Sequence, residues 1–259
     1  MSNNRTSHLR SFPDSMTVLV QGASRGIGLG LVQILAGHPR VGHVIATCRE
    51  PNSASSLLEL QSDIVRVHQL DVSRAGSVNA LAGQLCQQQV SIHLLINAAG
   101  LLHGPDLMPE KKLEDLNLPS LQQVFAVNTF GPALIFKAFQ ALMASDGKAV
   151  LCAISARVGS ISDNRLGGWY AYRASKAALN QLVKTASIEL RRRKPNLIVA
   201  ALHPGTTSTG LSQPFQARVP AQKLFSVEQT SRYLLNVIDG LGTEDSGDFF
   251  AWDGARIEW

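Results

Sequence analysis

The sequence predicts a single doubly wound α/β domain, one parallel sheet with helices on both faces. Three observations carry the prediction. Short apolar runs alternate with longer stretches of helical periodicity. The runs are continuously apolar rather than alternating, as in strands buried on both faces. A glycine-rich turn leaves the first run and opens a helix. Such alternation folds as a parallel sheet with right-handed crossovers.

In chain order, TVLVQG (17–22) reads as a buried strand, followed by a helix over 27–36. HVIATCR (43–49) and VRVHQLDV (65–72) are the second and third strands, with a short helix around SSLLELQ between them. A helix over 75–87 leads to SIHLLINAAG (91–100), the fourth strand. One long helical pattern, 120–143, precedes KAVLCAIS (148–155), the fifth. The segment 170–193 is helical, and NLIVAALHPG (196–205) is the sixth strand. No linker or repeat divides the chain, so 16–259 is expected to be one domain. The first fifteen residues, Ser- and Arg-rich with one acid, lack the apolar stretch of a secretory signal. They are expected to be a disordered leader, with a short transit peptide as the alternative.

A chain of 259 residues, 45% hydrophobic, can bury a sizeable core. Its net charge of +5 is scattered, and the densest run, Arg191 to Lys194, ends a helical pattern where cations suit the helix terminus. That argues against a nucleic-acid or membrane partner. Cys48, Cys86 and Cys152 are odd in number, without CxxC spacing, and the histidines show no metal-ligand pattern. Reduced thiols in a cytoplasmic protein without a metal site are expected.

In QGASRGIGLG (21–30), Gly22, Gly26 and Gly28 flank Ser24, Arg25 and Ile27. A turn without Cβ atoms lets backbone N–H groups approach a pyrophosphate at a helix N-terminus, as in Rossmann-type dinucleotide folds. No GK[ST] follows, which excludes a P-loop kinase. At the end of the second strand an acid would suit the ribose 2′-hydroxyl of NAD, whereas an arginine suits a 2′-phosphate. Here Cys48 and Arg49 stand at that point, with Glu50 beyond, read as solvated. Arg25 and Arg49 converging on one phosphate favour NADP(H).

The stretch WYAYRASKAALN (169–180) places Tyr172 four residues before Lys176, on one helix face. Alone the pair reads as a surface tyrosine packed on a lysine stem. Ser155, at the end of the fifth strand where open α/β sheets bind ligands, changes that reading. Tyr170 carries no such partner and is assigned to packing or a pocket wall. Trp169, Trp252 and Trp259 would serve a pocket floor or the core equally well, and His203 is a structural strand-end histidine.

With these motifs in order, the chain resembles a short-chain dehydrogenase/reductase from about Met16 to Trp259. The resemblance rests on QGASRGIG (21–28), DV (71–72), NAAG (97–100), Asn128, Ser155 with Y-x-x-x-K at 172–176, and PG at 204–205. Gln21, where the family usually has Thr, and the sixteen residues between Ser155 and Tyr172 depart from its pattern. That insert, with HPGTTSTGLSQPF (203–215) and the ending FFAWDGARIEW, is similar to the C-factor-like and sniffer-like carbonyl reductase branch.

The resemblance implies NADPH-dependent reduction of a small or medium carbonyl compound. Tyr172 would be the general acid/base, Ser155 would hold the carbonyl oxygen, and Lys176 would lower the tyrosine's pKa and bind the nicotinamide ribose. Asn128 would hold a water that relays protons to Lys176; its place in mid-helix suggests a local distortion. Asp71 and Val72 would face the adenine, and Asn97, Ala98 and Gly100 would line the cofactor. Pro204, Gly205 and Thr206 would hold the nicotinamide end, with Thr209 near the pyrophosphate. The loop 207–223 would close over substrate as a lid. Family members usually pair through the helices over 120–143 and 170–193, so a homodimer or homotetramer is implied. The competing class is a C-factor-like nucleotide-binding signalling protein with little turnover.

Overall fold

The computed structural model describes residues 8–259. The apolar runs form β1 (Met16–Gln21), β2 (Val41–Cys48), β3 (Val65–Gln69), β4 (Leu94–Asn97), β5 (Ala149–Ile154) and β6 (Leu197–His203). The helices between them are α1 (Gly26–Ala36), the single turn α2 (Ser55–Leu58), α3 (Ala75–Gln87), α4 (Leu118–Phe125), α5 (Gly131–Phe139) and α6 (Tyr170–Arg191). A two-residue pair, β7 (Thr206–Thr207) with β8 (Leu224–Phe225), precedes α7 (Val227–Gly240) and β9 (Phe249–Ala251). The main sheet runs β3-β2-β1-β4-β5-β6-β9, parallel throughout.

Continuous apolarity has the cause it implied. Along β1, Val18 and Val20 belong to one core layer with Leu31 and Leu235. Leu19, between them, belongs to the opposite layer with Val78 and Phe139. Strand side chains alternate faces, so a strand covered on both must be apolar at every position. The chain winds outward through β2 and β3, then returns to the other side of β1 through β4. The carboxyl ends of β1 and β4 therefore flank a topological switch point, where ligands bind such sheets.

Two expectations need correction, and two elements go beyond those read from the sequence. The segment 8–15 is packed rather than disordered: Leu9 is 0% and Phe12 2% exposed, within the layer that holds α1 and α7. Ser11 accepts from Lys148 Nζ at 2.8 Å and donates to Asp239, and the Arg40 guanidinium donates to the Phe12 carbonyl. Residues 1–7 of the expected leader lie outside the described residues. The helical pattern 120–143 is broken into α4, a π-helical turn (Ala126–Phe130), α5 and a final 3₁₀ turn. Pro132 has no N–H to donate to the Asn128 carbonyl, which forces the ladder out of α register at the expected distortion. Finally, α7 and β9 extend the fold beyond the sixth strand. Among the described residues no helix is long and apolar enough to cross a membrane.

Candidate functional site

The switch point is built by three segments that follow strands. The β1–α1 turn approaches the end of β4 so closely that glycine is required. Gly22 has φ +84°, and a Cβ there would lie 2.6 Å from the Ala99 nitrogen; a Cβ on Gly28 would lie 2.2 Å from the Gly22 carbonyl. Gln21 supports the turn: its Oε1 accepts from Ala99 N at 3.3 Å. Helix α1 begins after Arg25 with no side-chain cap and no acid in its first turn, leaving its N–H dipoles open to an anion. Ser24, Gly26 and Ile27 lie in this turn, and the methyl of Thr209 sits over Gly26.

Asn97, at the end of β4, is 1% exposed, and both atoms of its amide are without a hydrogen-bond partner. Buried amides are normally satisfied, and this one, closed off by the surrounding protein at the carboxyl end of β4, is an exception. Ala98 and Gly100 continue from it. Pro204, Gly205 and Thr206 follow β6 on the far side.

A cavity of about 600 Å³ beyond β2 and β3 is lined by Arg49, Glu50, Asp71 and Arg74. Arg49 pairs with Glu50 at 3.2 Å, both well exposed. Glu50 is solvated as expected, yet it also tethers the arginine. Arg74, not singled out from the sequence, approaches Asp71 at 3.7 Å. Exposed Arg25 is not among the lining residues. Asp71 also accepts from Ser73 N at 3.0 Å, while the Val72 side chain is buried in the core layer of α3 and α5 instead of facing the cavity.

The candidate catalytic groups meet where β5 runs into α6. Ser155 follows β5 and is 2% exposed; Tyr172 and Lys176, in the first two turns of α6, are 8% and 2% exposed. Lys176 Nζ donates to the Ile154 carbonyl at 2.8 Å, the residue before Ser155. It lies 5.8 Å from the Tyr172 ring centroid. Burial pushes Tyr172 up to about 12 and Lys176 down to about 8. Desolvation penalises the charged form of each, and the expected lowering of the tyrosine by its lysine does not appear. Asn128, 0% exposed, donates to the Leu101 carbonyl and accepts from Leu101 N, both at 2.8 Å. Its amide also reaches Ser175 Oγ at 3.1 Å, tying the π turn to α6.

Besides Arg74, two residues escaped sequence reasoning. Asn180 Oδ1 accepts from Ser155 Oγ at 2.6 Å. Its signal was position, since 172, 176 and 180 are successive steps of four on one helix face. Glu110, 4% exposed, accepts from Ala171 N at 3.1 Å and caps α6, whose own N-cap, Trp169, has φ +55° and no side-chain bond.

Trp169 lies over the site, edge-on to Tyr172 at 6.2 Å and to Phe215 at 4.8 Å. Phe215 belongs to the expected lid, and His103 Nε2 reaches the lid's Gly210 carbonyl at 3.1 Å. Trp252 packs instead on Phe225 and Tyr233, and Trp259 stacks on Phe249. His203 is structural: its Nδ1 accepts from Arg157 N at 3.2 Å. Tyr170 is half-buried.

A doubly wound sheet with an anion-receptive glycine turn and a Ser-Tyr-Lys cluster over its carboxyl edge defines the single-domain dinucleotide oxidoreductases. The short chain dehydrogenase family model matches residues 16–219, and the chain belongs to that family. It is 31% identical over 245 residues to 1-hydroxy-2-glutathionyl-2-methyl-3-butene dehydrogenase of Rhodococcus sp., covering 94% of this chain and 99% of that one. It is 34% identical over 147 residues to C-signal of Myxococcus xanthus, covering 57% and 83%. Among solved structures, NADPH-bound carbonyl reductase from chicken fatty liver superposes with a TM-score of 0.86 at 30% identity over 98% of both chains. Carbonyl reductase Sniffer of D. melanogaster gives 0.82 at 25%, over 95% and 100%.

Proposed function

We propose that the protein reduces a small or medium carbonyl compound with NADPH, Tyr172 supplying the proton. The observation that carries the reading is the Lys176–Ile154 hydrogen bond, which seats the Tyr172 face of α6 against the end of β5, beside Ser155. The turn without Cβ atoms and the open N-terminus of α1 fit a dinucleotide. Gly22 to Gly28 would hold its pyrophosphate; Asp71, Asn97, Ala98 and Gly100 would flank it, with Thr209 above. Arg49 and Arg74 beside one cavity, and the similarity to an NADPH-bound carbonyl reductase, support the phosphorylated form. Pro204, Gly205 and Thr206 would border the nicotinamide, which when bound supplies the hydride.

Ser155 positions the carbonyl oxygen, and Tyr172 hands it the proton as negative charge develops there. Neutral at working pH, Tyr172 is in the form a reduction needs. Lys176 holds positive charge beside the phenol, favouring the phenolate left after transfer. Asn128 braces the π turn against α6 and keeps that face in register. Trp169 and Phe215 keep water from the reacting centre. The three free cysteines suit a reducing cytoplasm, and a homodimer or homotetramer belongs to the same reading.

A second reading, a nucleotide-binding signalling protein with little turnover, draws on the similarity to C-signal. An NADPH-oxidation screen against aldehydes, ketones, quinones and pterins separates the two. With the best substrate, Tyr172→Phe lowers kcat by roughly 10²–10⁴-fold and leaves NADPH binding intact, whereas Tyr170→Phe stays active. Retained activity in Tyr172→Phe would falsify the assignment.

A further inference from the structure

We infer that Asn180 is a positioning residue for Ser155, fixing the serine oxygen in one place and acting on turnover only through it. The inference rests on the catalytic reading of Ser155, Tyr172 and Lys176 given above. Asn180 is 3% exposed, on the α6 face that carries Tyr172 and Lys176. Asparagine is a poor helix residue, and burying its amide is costly unless both ends are bonded. Both ends go to one segment, the turn that leaves β5. Oδ1 accepts from Ser155 Oγ at 2.6 Å, and Nδ2 donates to the Gly159 carbonyl at 3.4 Å.

The second contact sets the direction of the first. Turning the amide over would bring Oδ1 against the Gly159 carbonyl, acceptor facing acceptor, so Asn180 presents an acceptor and not a donor to the serine. A serine side chain has three staggered wells, and this bond selects one. At rest this bond holds the hydroxyl's single proton; a bound carbonyl oxygen would draw that proton to itself while Oγ keeps the same well. The oxygen is thereby fixed relative to Tyr172, because Asn180 and Tyr172 share one rigid helix.

The test is a cycle of variants assayed by NADPH oxidation with whichever aldehyde, ketone or quinone the parent protein reduces fastest. Asn180→Leu, close in volume, is expected to lower kcat by tenfold to a hundredfold, the order of loss that misplaced reacting groups bring, with the Kd for NADPH unchanged. Asn180→Gln keeps both an acceptor for the serine and a donor for the Gly159 carbonyl, and retains more of kcat than the leucine variant. In a Ser155→Ala background both substitutions are silent, because the group they act through is gone. Should the leucine variant fail to fold, glutamine in the two backgrounds carries the same comparison. The inference is overturned if leucine and glutamine lose equally, or if either costs as much without Ser155 as with it. Failure of the underlying reading looks different: Tyr172→Phe then keeps its activity whatever Asn180 does.

Discussion

Lys176 is a charged group held where charge is unfavourable, and its pKa records this, pushed from 10.5 down to about 8 by burial. A folded pKa below the unfolded one means that the native state carries a desolvation cost at neutral pH. That cost is relieved as pH rises from about 8 to 10.5, where folded chains have lost the proton and unfolded ones have not. Lys176→Met should therefore abolish turnover and yet raise stability at pH 7, by roughly 1–3 kcal/mol after the lost Ile154 bond is subtracted. Urea midpoints from pH 7 to 10.5 should show the gap to the parent closing. A gap that widens would mean the lysine stabilises the fold. Arg49 and Arg74, beside the cavity beyond β2 and β3, act differently, because both are exposed and a 2′-phosphate would be their partner. Titrating NADPH and NADH by fluorescence should show NADPH favoured at least tenfold, and Arg49→Ala with Arg74→Ala should remove the preference without weakening NADH, since one decade is only about 1.4 kcal/mol. Equal affinities in the parent would overturn the NADP assignment alone.

Among the elements, the segment 8–15 carries the largest departure from sequence reasoning. Leu9 and Phe12 are two apolar residues in a polar stretch, too few for a periodic signal, and the partners that bury them lie far away in the chain. Ser11 meets Asp239 across 228 positions, and His38 reaches the His8 carbonyl at 3.1 Å. Only the assembled fold reveals such a contact. Leu9→Ala or Phe12→Ala should each destabilise by about 2–5 kcal/mol, the range for emptying a core site. In a domain this size that lowers Tm by several degrees, at roughly 2–4 °C per kcal/mol. Values within a degree of the parent would show that the segment is an appendage. Strands such as β1, β4, β5 and β6 were legible because two-sided burial leaves an unbroken apolar run; β3, VRVHQ with Arg66 and Gln69 exposed, has none, and three-residue β9 is too short for one. Helix α7 did carry a readable start, Ser226 with Gln229 in a reciprocal cap. At the site, spacing exposed Tyr172, Lys176 and the glycine turn; Asn180 and Glu110 stayed hidden because a helix asparagine and a loop glutamate read as solvated until their burial is seen.

At the scale of the whole molecule, the sheet stores an acid sensitivity. His38, His68, His93 and His203 all have pKa values lowered from 6.5, with burial the first cause for each. Three of them also accept a backbone N–H at Nδ1: from Arg40 at 3.2 Å, Thr17 at 3.1 Å and Arg157 at 3.2 Å. Protonating any of the three would set donor against donor. For His203, lowered to about 4 by burial and by Arg157 against a weaker pull from Asp253, the unfolded chain binds the proton first as pH falls. Its contribution is complete above 6.5 and drains away toward 4; at pH 5 roughly 1–2 kcal/mol of it is gone. Denaturant unfolding at pH 7.5, 6, 5 and 4.5 should therefore show falling midpoints. His203→Asn, which keeps an acceptor for Arg157 N and cannot be protonated, should flatten part of that slope. If the asparagine variant follows the parent at every pH, His203 is not among the groups that set the acid limit, and the slope belongs to the other histidines and the carboxylates.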